Sequence, residues 1–337
     1  MLIIRHSDVR DILDGREQDV LDAVANAYRL HDEGSSALPH SVFLRFPDAP
    51  RDRIIGLPAY LGGPDEIAGM KWISSFPGNL ERGLDRASAV IVLNEMATGR
   101  PDALVEASLV SAKRTAAGAA LAARLLVTEP APTGVTLVGT GVINLEVLRY
   151  LRTTLPSITD VTLYDRSAER AAGCAERCAA LVPGTVTVAP ALDEALAAHR
   201  LVAFATTAAE PHTDLAACAP GTTVLNVSLR DITAGAILAA RNVVDDVDHV
   251  LREQTSPHLA EQACGHREFI GATLGGLLNG TAVHRPDPDR VTVFSPFGLG
   301  VLDLAVAGLV REHAAAAGLG VEVDGFLPEA RPVPAGV

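Results

Sequence analysis

A buried strand that passes through a glycine turn into a helix is the feature that most constrains this sequence. The segment Val135–Val138 leads into a turn whose key positions are Gly139, Gly141, Val142, Ile143 and Asn144. Gly139 permits the tight turn, and Gly141 lets the backbone approach a phosphate. The free N–H groups and the dipole at the start of the following helix attract that anion. The pattern predicts a dinucleotide-binding unit in which Asn144 replaces the third glycine, a position concerned with packing.

A second strand, Val161–Asp165, ends in an acid near the spacing that such a unit requires. We expect Asp165 to accept hydrogen bonds from the ribose hydroxyls of the nucleotide, and its charge repels a 2′-phosphate. NAD is therefore the predicted cofactor, and Arg166 keeps NADP open as the alternative. Thr206 and Thr207 end the fourth strand of the unit, where they either line the path of the nucleotide or cap the strand end.

The spacing of apolar residues predicts an α/β protein with two parts. From residue 134 onward, strands and helices alternate, which is typical of a doubly wound parallel sheet of the Rossmann type. The preceding residues predict a smaller mixed or antiparallel sheet with an N-terminal helix, and two further helices frame the nucleotide domain. The predicted segments of that smaller part and the two framing helices are Asp8–Gly34 (helix), His40–Phe46, Ile54–Leu61, Ile67–Ser75 and Val90–Asn94 (strands), Pro101–Leu126 and Gly298–Val310 (helices).

These segments predict domain boundaries as well. Residues 114–304 form the expected NAD-binding Rossmann domain, and residues 1–113 with 305–337 form a substrate-binding and dimerisation domain. Gly99 and Pro101 turn the chain ahead of the long helix, which we interpret as the bridge between the two domains. The tail after Gly320 is rich in proline and is expected at the surface.

Composition excludes several function classes. The formal net charge of −13 disfavours general binding of nucleic acid or anionic membranes. No charge-free run approaches the ~20 apolar residues of a membrane span, and the charged N-terminal segment is unlike a secretory signal. The four cysteines include no CxxC pair, which favours buried thiols in a reducing cytoplasm. The histidines and acids show no ligand spacing, so no metal is expected.

Cations in the first part of the chain are the candidates for binding an acidic substrate. Lys71 lies in an otherwise apolar strand, where it needs a carboxylate, a ligand or an exit to solvent. Arg114 lies among alanines in the long helix, which leaves it room to reach inward. Ser41 and Arg45 share one face of a strand, and Arg45 faces either a pocket or solvent. Asp231 follows the fifth strand of the nucleotide domain, where it either caps a helix or contacts substrate.

Several of these segments together resemble the ornithine cyclodeaminase/mu-crystallin family over nearly the whole chain. They are the GMKW segment with Lys71, TGRP and SAKRTAA (98–117), VGTGVIN (138–144) and VFSPFGLGVLDLA (293–305). Further segments resemble the branch that makes 2,3-diaminopropionate for siderophores or peptide antibiotics, namely PHSVFLRFP (39–47), IGLPAYLGG (55–63), KWISSFPGN (71–79) and RGLDRASAVIVLN (82–94).

The resemblance implies a homodimer, and it implies roles for particular residues. Lys71 and Arg114 match substrate-contacting residues of the family, and Asp231 matches the acid used in cyclodeamination. Ser41 stands where the family carries an arginine, which puts a simple ornithine site in doubt. Arg45 is then either a substitute for that arginine, or Ser41 makes room for a larger substrate. Two residues before the last helix, Ser295 and Gly298, are expected near the nicotinamide.

The reaction implied by the branch is the NAD-dependent oxidative cleavage of N-(2-amino-2-carboxyethyl)-L-glutamate to 2-oxoglutarate and L-2,3-diaminopropionate. A pyridoxal-phosphate (PLP)-dependent synthase is the expected supplier of that conjugate. Three alternatives stay open: an ornithine cyclodeaminase that forms proline and ammonia, a ketimine or alanine-type dehydrogenase, and a mu-crystallin-like nucleotide-binding protein without catalysis. The joint presence of Lys71, Arg114 and Asp231 counts against the non-catalytic alternative.

Overall fold

The computed structural model describes residues 1–329, whose strands form two eight-stranded sheets. The strands are β1 (Leu2–Ile4), β2 (Ser36–Ala37), β3 (Val42–Phe46), β4 (Ala49–Leu61), β5 (Ile67–Ser75), β6 (Ala87–Asn94), β7 (Pro101–Glu106), β8 (Gly134–Val138), β9 (Asp160–Tyr164), β10 (Val186–Val188), β11 (Leu201–Phe204), β12 (Thr223–Asn226), β13 (Arg241–Val244), β14 (Ile270–Thr273), β15 (Thr292–Ser295) and β16 (Val321–Glu322).

Helices cover both faces of the second sheet and one face of the first. They are α1 (His6–Leu13), α2 (Glu17–Asp32), α3 (Ser108–Leu126), α4 (Val142–Thr154), α5 (Ala168–Ala179), α6 (Leu192–Ala198), α7 (Ala234–Ala239), α8 (Val247–Val250), α9 (Ser256–Cys264), α10 (Leu274–Asn279) and α11 (Gly300–Ala317). A short 3₁₀ helix spans Pro77–Arg82.

The second sheet is parallel throughout, in the order β10-β9-β8-β11-β12-β15-β13-β14. The chain winds outward from β8 to β10 and then returns to β11 on the other side of β8. This reversal opens a crevice at the carboxyl ends of β8 and β11, the place where ligands bind in such sheets. The predicted Rossmann-type sheet is confirmed.

The first sheet is mixed, because β1 and β7 are parallel while all the other strand pairs of this sheet are antiparallel. Its order is β16-β1-β7-β6-β5-β4-β2, and β3 also pairs with β4. Side chains alternate between the faces of β5: Lys71 and Ser75 are buried on the inner face, whereas Met70 and Trp72 are exposed on the outer face. The predicted mixed sheet is therefore confirmed as well.

Helix α3 lies at the centre of the molecule, and its alanines explain how closely it packs. Ala116, Ala117 and Ala120 are fully buried. A Cβ on Gly118 would lie only 3.1 Å from the hydroxyl of Tyr28, a residue of α2. Small residues therefore let α2 and α3 approach each other while α3 also contacts α4 and α11.

The structure corrects the predicted long helix Pro101–Leu126. Its first six residues form strand β7, which pairs with both β1 and β6, and the helix begins only at Ser108. The Glu106 carboxylate accepts the Ser108 N–H at 2.9 Å, which marks the new start. Apolar residues such as Val105 suit a buried strand and a buried helix equally well, so their spacing did not separate the two.

Other predicted elements shift. The single N-terminal helix Asp8–Gly34 is two helices, α1 and α2, because Gly15 has a φ of 71° and breaks the helical path. The helix predicted at Gly298–Val310 begins at Gly300 and continues to Ala317. Strands β13, β14 and β15 were not predicted. Residues 330–337 lie outside the described residues, and the predicted domain boundaries stay a prediction, since 113/114 and 304/305 fall inside α3 and α11.

Candidate functional site

One cavity of about 500 Å³ is lined by seven of the sixteen predicted site residues. The glycine turn lines it from the parallel sheet with Gly141, Val142 and Ile143, and the ends of β11 and β12 contribute Thr206, Thr207 and Ser228. The mixed sheet and α3 line the opposite side with Ile73, Arg86, Ser111 and Arg114. A cleft of this size between two sheets is the usual form of a cofactor and substrate site.

The glycine turn is fixed by its own residues. Gly139 has a φ of 87°, and a Cβ there would lie 2.5 Å from the carbonyl oxygen of Ala205. Asn144 is fully buried, and its amide donates to the carbonyls of Val138 at 2.9 Å and Gly139 at 2.6 Å. Asn144 therefore does more than replace the third glycine, because it ties α4 to the turn that precedes it.

The start of α4 fits the phosphates of a dinucleotide. Its N-cap is Gly141, and no side chain caps the free N–H groups. A Cβ on Gly141 would meet no atom within 4 Å, so the space in front of these groups is open to the cavity. Open N–H groups together with the positive end of the helix dipole are suited to bind an anion.

Asp165 follows β9 beside this turn. Its carboxylate accepts the N–H of Thr140 at 3.0 Å, the Thr140 hydroxyl at 2.8 Å and the N–H of Ser167 at 3.0 Å. Burial opposes ionisation, but these hydrogen bonds outweigh it and lower the pKa of Asp165. Arg166 is exposed and does not line the cavity, whereas Arg170 does and lies 3.7 Å from the Asp165 carboxylate. Sequence reasoning missed Arg170.

Lys71 and Arg114 share one buried acid, Asp303 in α11. The Lys71 Nζ lies 2.6 Å from Oδ2 of Asp303, and the Arg114 Nε lies 2.8 Å from Oδ1. Lys71 also donates to the Ser111 hydroxyl at 3.4 Å, which lines the cavity. Burial and the charge of Arg114 lower the pKa of Lys71 to about 8 against the opposing effect of Asp303. The pair carries two positive charges against the single negative charge of Asp303.

Sequence reasoning missed Asp303, although a signal was present. It is an acid in the otherwise apolar segment GVLDLAVAGLV, and a buried carboxylate of that kind requires cationic or hydrogen-bonding partners. The partners lie far away in the chain, at a separation of 232 residues for Lys71 and 189 for Arg114. The rule for buried charge therefore identifies the residue but not its partners.

The loop before α11 leaves room for Arg114. Gly298 has a φ of 96°, and a Cβ there would lie 2.9 Å from an Arg114 guanidinium nitrogen. Buried Asp245 holds this loop by accepting the N–H of Phe297 at 2.9 Å and of Gly298 at 2.7 Å. Gly298 lines the cavity, while Ser295 is buried behind it and accepts a hydrogen bond from Asn226 at 3.3 Å.

Asp231 lies behind the cavity wall. It is fully buried, and it accepts hydrogen bonds from the hydroxyls of Thr206 and Ser228, both of which line the cavity. On its other side the carboxylate contacts the His212 Nε2 at 2.9 Å, and the His212 side chain is 36% exposed. A chain of exchangeable hydrogen bonds thus runs from the cavity through Asp231 to the surface.

Arg45 and Ser41 do not line the cavity. The Arg45 guanidinium is 56% exposed, pairs with Glu253 at 2.5 Å and lies 5.4 Å from the centre of the Phe43 ring. Ser41 is half-buried just before β3. The predicted cluster of Lys71, Arg114 and Arg45 is therefore only partly assembled, with Arg45 apart from the other two.

The described part of the chain lacks two further kinds of feature, a membrane-spanning helix and a cluster of metal ligands. Within residues 1–329 no helix combines the length and the apolar character needed to cross a membrane. The same residues bring together no group of three or more histidine, cysteine, aspartate or glutamate side chains suited to hold a metal ion.

Known proteins resemble this chain over nearly its full length. It is 29% identical over 331 residues to N-((2S)-2-amino-2-carboxyethyl)-L-glutamate dehydrogenase of Staphylococcus aureus, covering 96% of this chain and 98% of that protein. It is 27% identical over 343 residues to alanine dehydrogenase of Archaeoglobus fulgidus, covering 96% and 98%. Among solved structures, Delta(1)-pyrroline-2-carboxylate reductase of Thermococcus litoralis, in complex with NADH and L-proline, matches at a TM-score of 0.89.

That structure is 25% identical to this chain and covers 96% of it and 100% of the reductase. An archaeal alanine dehydrogenase dimer with bound NAD matches at a TM-score of 0.85 and 26% identity, covering 97% of this chain and 99% of that one. The sequence profile of the ornithine cyclodeaminase/mu-crystallin family matches residues 6–318. The glycine turn, the shared aspartate of Lys71 and Arg114, and this match agree: the chain belongs to the ornithine cyclodeaminase/mu-crystallin family.

Proposed function

We propose that this protein is an NAD-dependent oxidoreductase that cleaves N-(2-amino-2-carboxyethyl)-L-glutamate to 2-oxoglutarate and L-2,3-diaminopropionate. One observation carries the proposal: Arg114, which shares Asp303 with Lys71, lines the same cavity as the open start of α4, and Lys71 lies behind that cavity wall in contact with Ser111. That cavity fits a carboxylate-bearing amine beside a dinucleotide. The relative from S. aureus bears the name of this activity, and the segments around Lys71 and Arg86 resemble the same branch.

The dinucleotide would be held by Gly141, the N–H groups of α4 and Asp165. When bound, NAD⁺ supplies an acceptor for a hydride. Asp165 favours a free ribose hydroxyl over a 2′-phosphate, because its carboxylate is ionised and accepts hydrogen bonds. The solved relatives with NADH and with NAD support the same cofactor.

The side chains of this chain bind the substrate and move its protons. Lys71 and Arg114 bind one carboxylate, which orients the adjacent Cα–H bond of the glutamate arm. Loss of a hydride from that carbon and of a proton from the nitrogen gives an imine, to which water adds. The hydroxyls of Thr206 and Ser228 pass protons to Asp231 during these steps. Cleavage of the C–N bond then releases 2-oxoglutarate and the free amine.

A second candidate is an alanine-type dehydrogenase or an imino-acid reductase, because relatives with those names match nearly the whole chain. An ornithine cyclodeaminase is the third, and it releases no net NADH. The test is an absorbance assay for NADH with NAD⁺ and, in turn, the conjugate, L-alanine and L-ornithine, with product analysis. We expect NADH, 2-oxoglutarate and L-2,3-diaminopropionate in equal amounts from the conjugate. Turnover of ornithine alone, giving proline and ammonia, contradicts the proposal.

The protein is also proposed to be a homodimer that pairs through the outer face of the mixed sheet. Val42, Gly56, Trp72 and Val90 are directly opposite one another across β3 to β6 and point outward. Val42 is 64% exposed and Trp72 40%, which is a large apolar surface to leave in water. A relative of known structure is a dimer. The cytoplasmic location, the PLP-dependent synthase and a role in siderophore or antibiotic synthesis stay predictions.

A further inference from the structure

A row of arginines crosses the mixed sheet on its inner face. Arg45 of β3 is opposite Arg53 of β4, Arg53 is opposite Ser75 of β5, and Ser75 is opposite Ala87 of β6. Arg86 precedes Ala87 and donates to the Ser75 hydroxyl at 2.7 Å. Because side chains alternate along a strand, this row lies on the same face as Lys71, four residues before Ser75.

Two of these arginines, Arg53 and Arg86, form no salt bridge with the described residues, although the charge of Glu253 still acts on Arg53. No carboxylate of residues 1–329 lies within 4.0 Å of the guanidinium nitrogens of Arg53 or Arg86, although Asp85 also lines the cavity. Like charges directly opposite each other, as Arg45 and Arg53 are, destabilise a sheet unless an anion compensates. Burial lowers the pKa of both Arg53 and Arg86, and for Arg53 the charge of Arg86 adds to that effect.

A fourth arginine, Arg230, approaches from the parallel sheet. Arg230 follows β12 and donates to the backbone carbonyl of Glu253 at 2.8 Å, while its Nε is buried without a partner. The Glu253 carboxylate is already bound by Arg45 at 2.5 Å. The described residues therefore provide one carboxylate for a group of arginines that both sheets contribute.

Arg86 reaches the cavity that also contains Arg114 and Gly141. Along β5, the four residues from Lys71 to Ser75 span about 13 Å. A substrate that reaches from Arg114 to Arg86 is expected to be longer than alanine or proline, and a carboxylate at its remote end would suit the Arg86 guanidinium.

We propose that Arg86, supported by Arg53 and Arg230, forms a second carboxylate subsite for the remote arm of the substrate. The inference rests on the proposed function and deepens it. The conjugate of glutamate and diaminopropionate has three carboxylates, and Lys71 with Arg114 accounts for one. A guanidinium binds a carboxylate through two parallel hydrogen bonds, which selects charge and orientation together. The subsite selects polycarboxylate amines over amino acids with a single carboxylate.

The test compares Arg86→Ala with Arg82→Ala in the full-length protein. Arg82 is exposed in the neighbouring 3₁₀ helix and does not line the cavity, so it controls for loss of a nearby charge. With the conjugate and saturating NAD⁺, we expect Arg86→Ala to raise KM by about 10- to 100-fold with kcat within a few-fold of the parent, which is the loss of one charged hydrogen-bonded contact. Arg86→Lys keeps the charge and is expected to restore part of the affinity.

The outcomes separate the inference from the proposed function. An unmodified protein that forms no NADH from the conjugate overturns both. An unmodified protein that turns the conjugate over, with Arg86→Ala and Arg82→Ala equal in KM, overturns the subsite alone. The melting temperature and the NADH affinity of Arg86→Ala are measured as controls. Values equal to those of the unmodified protein show that the variant is folded. If that variant does not fold, Arg53→Gln replaces it, with an expected rise in KM and the same contradictory result.

Discussion

The two walls of the cleft each contain one fully buried aspartate, and the two aspartates have opposite surroundings. Asp303, on the wall of the mixed sheet, is bound by two cations, Lys71 and Arg114. Asp231, on the wall of the parallel sheet, is bound by two hydroxyls and the imidazole of His212. Cations fix a negative charge in place, whereas hydroxyls and imidazole exchange protons. The comparison teaches that burial alone does not show whether an aspartate holds a charge or transfers protons, because its hydrogen-bonding partners determine which of the two it can do.

The largest expected effect is a loss of turnover when Asp231, the aspartate bound by hydroxyls and an imidazole, is replaced. Asp231→Asn removes the group that accepts protons from Thr206 and Ser228 but keeps its shape. We expect kcat with the conjugate to fall by about 10²–10⁴-fold, measured by NADH absorbance. Exposed Asp193→Asn is the control and is expected to keep full activity. Unchanged turnover in Asp231→Asn would remove this residue from the mechanism.

The second effect is a loss of stability when Asp303, the aspartate bound by two cations, is replaced. Asp303→Asn leaves two buried cations without a compensating charge, which costs about 3–5 kcal/mol of the unfolding free energy. Asp231→Asn disturbs two hydroxyls and one imidazole and is expected to cost about 1–3 kcal/mol. Urea unfolding of both variants measures the difference. Equal losses in the two variants contradict the distinction drawn between the two walls.

The third effect follows from the pKa of Lys71, which is lowered from 10.5 to about 8. Below pH 8 the buried ammonium binds a carboxylate; above it the charge is lost, so kcat/KM is expected to fall by up to about tenfold per pH unit. Stability changes in the opposite direction: between about pH 8 and 10.5 the unfolded chain holds a proton that the folded one has released, so the unfolding free energy rises with pH.

The variant Lys71→Arg tests whether Lys71 is the group whose titration lowers kcat/KM above pH 8. Lys71→Arg keeps a positive charge throughout this range, since a guanidinium does not lose its proton. The fall in kcat/KM above pH 8 is therefore expected to disappear in Lys71→Arg, whatever its absolute rate. A pH profile with the same break in both proteins assigns the titration to another group.

The smallest effect concerns the cofactor at the wall of the parallel sheet. Asp165→Ser removes a carboxylate that is held by Thr140 and Ser167 and is proposed to bind the ribose. We expect the Kd of NADH to rise by about tenfold, the equivalent of one charged hydrogen bond, and the preference over NADPH to shrink. Fluorescence titration of both dinucleotides measures it. An unchanged ratio of the two Kd values contradicts the assignment of Asp165.

The two walls of the cleft also differ in how far the sequence could predict them. The alternation of strands and helices is a local pattern, and it is confirmed in the parallel sheet; the glycine turn and Asp165 are local patterns too, and they lie at the ends of β8 and β9. Lys71 was identified as a cation in an otherwise apolar strand, but its partner Asp303 is 232 residues away and no spacing rule connects them. Arg45 was expected to face either a pocket or solvent, and Glu253 of the other part of the chain binds it at the surface.

Arg86 shows the remaining difficulty. In sequence it is one arginine just before a strand, and its proposed role depends on the register of four strands and on its forming no salt bridge within residues 1–329. Register across a sheet is set by packing and turn geometry rather than by any single residue. The sequence therefore predicts which residues carry charge, while the distribution of partners decides which of those charges face the substrate.

The most direct test of the account is the structure of the protein in complex with NADH and 2-oxoglutarate. We predict one carboxylate of the 2-oxoglutarate within about 2.7–3.2 Å of both the Lys71 Nζ and the Arg114 guanidinium, with the pyrophosphate at the start of α4. A complex in which Lys71 and Arg114 point away from the nicotinamide, or in which the ligand binds outside the cavity, contradicts it.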